Sequence, residues 1–327
     1  MTRPALIGDI GGTHARFALV TPGAVAPREI QSLPCADYPG PVEAIRDYLA
    51  RVGAVGDTPP HEACLAVAGP VDGERITLTN APWNFTRAEV QQALSLQRFK
   101  VINDFIAQAL GVPHVAKAQR LTLQVGEAAP DAAQLVIGPG TGLGMAGLLP
   151  GCRLDGRRRW IPLPTEGGHA AFAPTDDRER ALLDHFRQRY GRVSVERLLS
   201  GPGLLELYLA HCALAGIAPR CQSPAEVTAA GGSGDDEARD TLLRFLKILG
   251  DVSGDAALTL GARGGVTLCG GILPRLLAWL PRSRFLEAFA AKGRMAAYAG
   301  RIPVQVVTDP WTGLLGAAEA LHNPEVE

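Results

Sequence analysis

The stretch LIGDIGGTHARFALV, residues 6–20, decides the fold. Apolar runs at residues 5–7 and 17–20 predict two β-strands with a glycine-rich turn between them. Glycine permits a positive φ and lets another backbone or a ligand come close, so Gly8, Gly11 and Gly12 make this turn a candidate binding element. Asp9 and Thr13 lie inside it, where their oxygens can face a ligand. An ordinary hairpin turn is the alternative interpretation of this stretch taken alone.

The same pattern returns as LVIGPGTGLGMAGLL at residues 135–149, with Gly140 and Thr141 in the places of Gly12 and Thr13. A repeated strand–turn–strand element predicts two related α/β halves. The dinucleotide-binding fingerprint needs a helix after its glycines, whereas both turns here lead into strands, and the P-loop pattern is missing from the sequence. Nucleotide binding of the Rossmann or P-loop kind is therefore not expected.

A strand–turn–strand element can nevertheless bind phosphate, because consecutive backbone N–H groups form a concave nest for an anion. Thr13 and Thr141 can add hydroxyl donors. Asp9 would repel a phosphate, so its natural partner is Mg²⁺, reached through water. Two such turns from opposed halves would hold a polyphosphate between them.

Composition excludes several classes of protein. The 327 residues are 46% hydrophobic and carry a formal net charge of −1, so a substantial core is expected and an electrostatic nucleic-acid binder is not. No apolar run approaches the length of a membrane span, and the first ten residues lack the pattern of a signal peptide. The six cysteines have neither CxxC nor zinc-site spacing, which predicts no zinc and a reducing, cytoplasmic setting.

Strands and helices alternate along the first part of the chain, which predicts an α/β domain with a mixed sheet. Helices are expected over residues 41–53 and 86–97, the second with Thr86 as N-cap and Glu89 completing a capping box. From residue 175 onward the pattern is mainly helical, and AAGGSGDDEARD, residues 229–240, is expected to be a flexible connection.

Six motifs, in order, carry a resemblance to a known family: GDIGGTHARFAL, INDFIAQALG, IGPGTGLGMAGL, PTEGGHAAFAP, VERLLSGPGLLELY and LCGGILPRL. Together they resemble bacterial glucokinase, a branch of the actin-like ATPase and sugar kinase superfamily, from residue 6 to about residue 320. The resemblance implies an α/β, two-domain actin-like ATPase (ribonuclease H-like) fold with a cleft between the domains. The small α/β domain would comprise residues 1–111 plus 309–327, and the larger α+β domain residues 112–308.

The same resemblance implies a reaction and its partners. The enzyme would transfer the γ-phosphoryl group of ATP to the 6-hydroxyl of D-glucose, with ATP and Mg²⁺ as cofactors and no zinc. It implies a cytoplasmic homodimer that binds neither nucleic acid nor membrane.

Asp104 ends the apolar run FKVIND and precedes a predicted helix. From the residues alone, an N-cap and a catalytic group are equally supported. The resemblance makes Asp104 the general base that takes the proton of the 6-hydroxyl. An ionised carboxylate can fill that role because proton transfer can come late in a loose phosphoryl transition state. Asn103 can both donate and accept hydrogen bonds, which suits two adjacent sugar hydroxyls.

The glycine-rich stretch TEGGH contains Glu166 and His169, and a later motif contains Glu196. A surface loop with a locally bonded histidine is one interpretation of the first stretch. Glu196 in a first helical turn after Ser194, the expected N-cap, is favoured by the helix dipole without any function. The resemblance makes all three side chains ligands of sugar hydroxyls, with the glycines letting the loop close over the ring. It makes Asn80, in the loop TNAPW, a further substrate-binding residue, for which an ordinary turn asparagine is the alternative.

The resemblance also assigns the nucleotide. Its expected contacts are the two glycine turns and a glycine pair between a strand and a helix start, where adenosine would lie on bare backbone: Gly8, Asp9, Gly11, Gly12, Thr13, Gly140, Thr141, Gly142, Gly270 and Gly271. The closing stretch GLLGAAEAL, in which small residues recur, is expected to be a closely packed helix near the interdomain hinge.

Two other functions are compatible with these motifs. A kinase for mannose, fructose or N-acetylglucosamine would differ only in a few pocket groups. A non-catalytic sugar sensor of the ROK type is the second; ROK regulators carry a helix-turn-helix before the first glycine turn, and only five residues precede Leu6 here. ROK proteins also usually carry a cysteine-rich zinc motif, and GGHAAFAPTDD contains no cysteine.

Overall fold

The computed structural model describes residues 3–55, 59–71, 73–78, 83–154 and 157–326. Its strands, in chain order, are β1 (Ala5–Ile10), β2 (His14–Val20), β3 (Arg28–Pro34), β4 (Glu62–Val67), β5 (Arg75–Thr77), β6 (Asn84–Thr86), β7 (Arg98–Asn103), β8 (Arg120–Gln124), β9 (Gln134–Pro139), β10 (Leu143–Leu154), β11 (Arg157–Thr165), β12 (Gly265–Leu268) and β13 (Val304–Val307). Its α-helices are α1 (Pro41–Arg51), α2 (Arg87–Ala93), α3 (Asp104–Gly111), α4 (Asp177–Tyr190), α5 (Gly201–Ala215), α6 (Pro224–Gly232), α7 (Asp236–Leu260), α8 (Leu273–Leu276), α9 (Phe285–Ala290), α10 (Ala296–Ala299) and α11 (Thr312–His322). Among the helices of the described ranges, none combines the length and apolar composition that crossing a bilayer requires.

The chain divides into two compact units. Unit 1 contains Met1–Arg120, Leu148–Leu163 and Asp309–Glu327, and unit 2 contains Leu121–Gly147 and Pro164–Thr308. The domains predicted from the sequence differ from these units over residues 112–120 and 148–163. The division into functional domains stays a prediction.

The sheet of unit 1 is mixed, in the order β3-β2-β1-β4-β7. Strand β1 pairs antiparallel with β2 and parallel with β4, and β4 pairs parallel with β7. Every residue of β1 is buried, which is typical of a central strand covered on both faces. Since β1, β4 and β7 run in the same direction, their carboxyl ends lie along one edge of the sheet.

The larger sheet contains the repeated element, in the order β11-β10-β9-β12-β13-β8. Strands β9, β12 and β13 are parallel, whereas β9 and β10 are neighbours joined through residues 140–142. The core of unit 2 lies between these strands and the long helices, where Leu135, Ile137, Phe245 and Leu249 are completely buried.

Local signals place several helix ends where the sequence predicts them. Thr86 accepts a hydrogen bond from the backbone N–H of Glu89, whose carboxylate accepts one from the N–H of Thr86, so the predicted capping box is confirmed. The expected flexible connection at residues 229–240 is wrong. Helix α6 continues to Gly232, and α7 begins at Asp236 with the Asp235 side chain accepting from the N–H of Ala238.

Helices α3 and α11 of unit 1 pack backbone against backbone. A Cβ at Gly316 would overlap the carbonyl oxygen of Ala107, and one at Gly111 would overlap that of Thr312. The glycines therefore let the two helices approach more closely than any side chain would allow. This confirms the expected close packing of the closing helix.

A buried ionic network joins α4 to α7 in unit 2. Glu179 is completely buried and lies 2.9 Å from Arg244 Nη1 and 2.8 Å from Lys247 Nζ. Burial alone would raise the pKa of Glu179, but the hydrogen bonds from Lys247, Thr175 and Arg244 outweigh it and lower that pKa. The carboxylate is consequently held ionised inside the unit.

His211, on α5, is buried and uncharged. Its Nδ1 lies 2.8 Å from the hydroxyl of Thr241, and that hydroxyl donates to the carbonyl of Glu237 at 2.8 Å. The hydroxyl must therefore accept from His211, so Nδ1 carries the proton. Burial lowers the pKa of His211 to about 3.

Candidate active site

Asp9 lies at the end of β1, opposite Arg16 in the hairpin register. It is 8% exposed, and its Oδ2 accepts a hydrogen bond from Arg16 Nη1 at 3.3 Å. Burial raises the pKa of this carboxyl, while the Arg16 guanidinium lowers it, and burial prevails. A Cβ at Gly313, in the first turn of α11, would lie 2.8 Å from Oδ2, so the carboxylate packs on the bare backbone of that helix start.

The first glycine turn leaves backbone donors unused. The N–H of Gly11 donates to the carbonyl of His14 at 3.0 Å, and the carbonyl of Thr13 accepts from Cys35 at 2.9 Å. Within the described residues, the N–H groups of Gly12 and Thr13 donate to no protein acceptor. Two adjacent unused donors are what an anion nest requires.

The second glycine turn repeats this arrangement. The N–H of Gly140 donates to the carbonyl of Gly142 at 2.7 Å, and the carbonyl of Gly140 accepts from Gly201, the first residue of α5, at 2.7 Å. The N–H groups of Thr141 and Gly142 have no acceptor in the described part of the chain. No glycine of either turn has a positive φ. A Cβ at Gly142 would overlap the Glu196 carboxylate, so a larger residue there would displace that side chain.

The glycine pair lies beside the second turn, at the carboxyl ends of the parallel strands β9 and β12. Gly270 has a φ of +95°, and a Cβ on it would lie 2.6 Å from the carbonyl oxygen of Pro139. A Cβ on Gly271 would meet nothing within 4 Å, so its backbone is open to a ligand. The carboxyl ends of parallel strands are the usual ligand-binding edge of such sheets.

Asp104 is the first residue of α3, and the N-cap is its neighbour Asn103. The Asn103 Oδ1 accepts from the N–H groups of Phe105 at 2.8 Å and Ile106 at 3.3 Å, and its Nδ2 donates to the carbonyl of Gly69 at 3.2 Å. The N-cap alternative for Asp104 is therefore wrong. Asn103 spends most of its hydrogen-bonding capacity on the backbone, leaving one amide N–H for a ligand.

Glu166, His169 and Glu196 come together in unit 2. His169 lies 3.9 Å from Glu166 through Nε2 and 4.0 Å from Glu196 through Nδ1. These separations exceed direct hydrogen bonds, and the three side chains are 80%, 61% and 32% exposed, respectively. Two acceptors around a ring that can donate or accept form a polar cluster open to a hydroxylated ligand.

The turn that carries this cluster is anchored on β10. The 3₁₀ turn Gly167–His169 replaces the loop expected there. A Cβ at Gly168 would overlap the carbonyl oxygen of Leu143, and one at Gly167 would lie 2.6 Å from the sulfur of Met145. The glycines of TEGGH therefore let the turn pack against the strand. From the sequence, they were expected to let the loop close over a sugar ring.

Several residues that shape the site were not predicted. Arg16 could have been found, because a hairpin with residues 12–13 as its two-residue turn places it opposite Asp9. No local sequence pattern indicates Gly313. The same is true of the N–H of Leu143, which donates to Glu196 Oε2 at 2.9 Å. Asn80 lies outside the described residues. Within those residues, no group of three or more His, Cys, Asp or Glu side chains is arranged to hold a metal ion.

Solved structures share this architecture. The glucokinase from an Antarctic psychrotroph is 39% identical, with a TM-score of 0.86, covering 99% of this chain and 100% of that one. A ROK-family glucokinase from Streptomyces griseus, solved with glucose and AMPPNP, is 20% identical with a TM-score of 0.61, covering 96% and 98%. The fold is therefore that of the actin-like ATPase sugar kinases, as the sequence predicted.

Sequence comparison identifies the family within this class of sugar kinases. A family model for glucokinase matches residues 6–324. Glucokinases of Chromohalobacter salexigens and Marinobacter nauticus are 64% and 51% identical over 100% and 98% of both chains. The chain belongs to the glucokinase family. It is an ATP-dependent kinase that phosphorylates glucose, and the predicted function and enzyme class are confirmed.

Proposed function

We propose that Asp104 accepts the proton of the glucose 6-hydroxyl as that oxygen attacks the γ-phosphorus of ATP. The supporting observation is the geometry at the start of α3: Asn103 is the N-cap, and the N–H of Phe105 also donates to Asp104 Oδ1 at 2.9 Å, which fixes the carboxylate in the first turn. Its place in the first turn favours a negative charge, which suits a base. Little covalent work falls to the protein, because positioning and charge stabilisation carry most phosphoryl transfers.

The polar cluster of unit 2 is proposed to bind the sugar. The carboxylates of Glu166 and Glu196 would accept hydrogen bonds from hydroxyls, and His169 would donate or accept according to its tautomer. The carbonyl of His169 accepts from Arg192 at 2.7 Å, which holds the turn in place. The remaining amide N–H of Asn103 would serve a hydroxyl on the side of the base.

The two glycine turns are proposed to hold the phosphates of ATP. Each presents a threonine hydroxyl and two adjacent N–H groups for which the described residues offer no acceptor. Gly270 and Gly271 would let adenosine lie on bare backbone at the end of β12.

Asp9 is proposed to hold Mg²⁺ through water. A single carboxylate fits this ion, which keeps several waters and otherwise takes its ligands from phosphate oxygens. The donor chemistry agrees, because Asp9 is a buried carboxylate whose described charged partner is Arg16 alone. When bound, the ion would neutralise charge on the phosphates.

The homodimer and the cytoplasmic location implied by the resemblance remain proposals, and light scattering tests the first.

The experiment that tests the base is Asp104→Asn, which keeps the size of the side chain and removes its basicity. We expect kcat to fall by about 10²–10⁴-fold, since that is the usual contribution of a general base. Glucose affinity, measured calorimetrically, should change far less.

Asp177→Asn is the matched control. Asp177 is also the first residue of an α-helix, follows an aspartate N-cap, and its side chain is 98% exposed. Its replacement should leave kcat unchanged. Near-normal turnover in the Asp104 variant would remove Asp104 from the role of base.

A further inference from the structure

We infer that Glu196 is a positioning residue for the phosphate-binding turn 140–142 as well as a sugar ligand, so that one carboxylate links sugar and nucleotide binding in unit 2. This inference rests on the proposed roles of the turn and of the polar cluster. The affinity for ATP would then depend on a side chain whose only proposed ligand is the sugar.

The peptide unit between Gly142 and Leu143 is held at both ends. Its carbonyl oxygen accepts from the N–H of Gly140 at 2.7 Å, and its N–H donates to Glu196 Oε2 at 2.9 Å. Because Gly140 and this peptide are both held, the two intervening peptides, whose N–H groups belong to Thr141 and Gly142, have restricted rotation. Those are the donors available to a phosphate.

Glycine at position 142 is part of the same arrangement. The Glu196 carboxylate occupies the space that a Cβ there would need. Without that carboxylate, the turn would keep the Gly140 contact, but a glycine with open space around it would regain conformational freedom. Binding a phosphate would then have to order the turn, at a cost in affinity.

The other oxygen of Glu196 faces the sugar ligands. Oε1 lies 4.0 Å from Nδ1 of His169, and the side chain is 32% exposed. His169 and Glu166 have no hydrogen bond to the turn within the described residues. Of the three proposed sugar ligands, Glu196 is thus the one joined to the phosphate turn, and it reaches it by a hydrogen bond of ordinary length.

A link of this kind must act in both directions. If glucose on Oε1 alters how Oε2 holds the Leu143 N–H, the affinity for ATP changes by a certain factor, and ATP changes the affinity for glucose by the same factor. The structural effect on the turn, however, exists without any sugar. It can therefore be measured separately from sugar binding.

The test is binding of AMPPNP with Mg²⁺, by titration calorimetry, in the absence of glucose. We expect Glu196→Ala to raise the Kd of AMPPNP by roughly five- to tenfold, the loss expected for one ordinary hydrogen bond. Glu196→Gln keeps an acceptor oxygen and should bind AMPPNP as the wild type does. His169→Ala removes a sugar ligand that does not touch the turn and should also bind AMPPNP normally, while weakening glucose.

Thr141→Val tests the proposed function of the turn itself, because it removes a phosphate donor without touching Glu196. If Thr141→Val weakens AMPPNP and Glu196→Ala does not, the inference is overturned and the proposed function stands. If neither weakens it, the turn does not bind phosphate. Equal weakening by Glu196→Ala and His169→Ala would also overturn the inference, since the effect would not follow the hydrogen bond. Should Glu196→Ala fail to fold, Glu196→Leu fills the space without an acceptor and is measured in its place.

Discussion

Replacing Gly316 by alanine should weaken both the stability and the activity of the enzyme. The new Cβ would overlap the carbonyl oxygen of Ala107 and lie 2.5 Å from its carbonyl carbon, below the 3.0 Å that real Cβ atoms essentially never cross. Both are backbone atoms of α3, so no side chain can yield and the helices must separate.

The size of the effect follows from two opposed terms. Overpacking costs about 3 kcal/mol at the upper end of its usual range, and alanine returns about 1 kcal/mol of helix propensity, which leaves a net loss of about 2 kcal/mol. For a domain of 150–250 residues this lowers Tm by about 4–8 °C. Helix α3 also begins with Asp104, the proposed base, and a displacement of about 1 Å at a group in that role can cost 10²-fold in rate.

Thermal unfolding and kcat, measured side by side, test this prediction. Gly232→Ala is the control, since Gly232 lies in α6 and a Cβ on it would meet nothing within 4 Å. That variant should melt at or above the wild-type temperature with normal kcat. If the two variants have the same Tm, a side chain at the close α3–α11 contact does not cost the stability predicted for it.

Two further predictions concern buried charge. Because the pKa of His211 is about 3 in the folded protein, the unfolded state binds its proton first as pH falls, so stability should drop by about 2 kcal/mol between pH 6.5 and pH 5 from this residue alone. Urea unfolding at both pH values should show that the free energy of unfolding falls less in His211→Gln than in the wild type. An equal fall in the two proteins would contradict this prediction. Lys247→Met should destabilise unit 2 toward the lower end of about 3–5 kcal/mol, because Arg244 still faces the buried Glu179. Adding Glu179→Gln should restore part of that stability, and no recovery in the double variant would argue against the loss of one of the two cations beside this carboxylate as the cause.

Local signals were sufficient for much of the fold. The Thr86 capping box needs only residues three apart, and the strands around the glycine turns need only their apolar runs, so both could be predicted. The connection at residues 229–240 misled because glycine and serine favour turns, whereas α6 is extended to Gly232 by neighbours that composition does not reveal.

Contacts between distant residues could not be predicted. The grouping of residues 148–163 with unit 1 accompanies the ion pair of Arg159 with Glu319 at 3.2 Å and the hydrogen bond from Asn323 to the carbonyl of Trp160 at 2.9 Å. The bond between Glu196 and the N–H of Leu143 likewise joins a side chain to backbone far away in the chain. The motif identifies Glu196 as a candidate ligand. Only the fold shows that its Oε2 accepts from the N–H of Leu143 while its Oε1 faces His169.

The close contact between α3 and α11 has a consequence for the nascent chain. Helix α3 precedes all of unit 2 in the sequence, while α11 follows it. The face of α3 around Ala107 and Gly111 therefore lacks its contact with α11 until all of unit 2 has been synthesised. Since exposed apolar surface in an incomplete domain promotes misassembly, the helix that begins with Asp104 should be the segment most dependent on protection during translation.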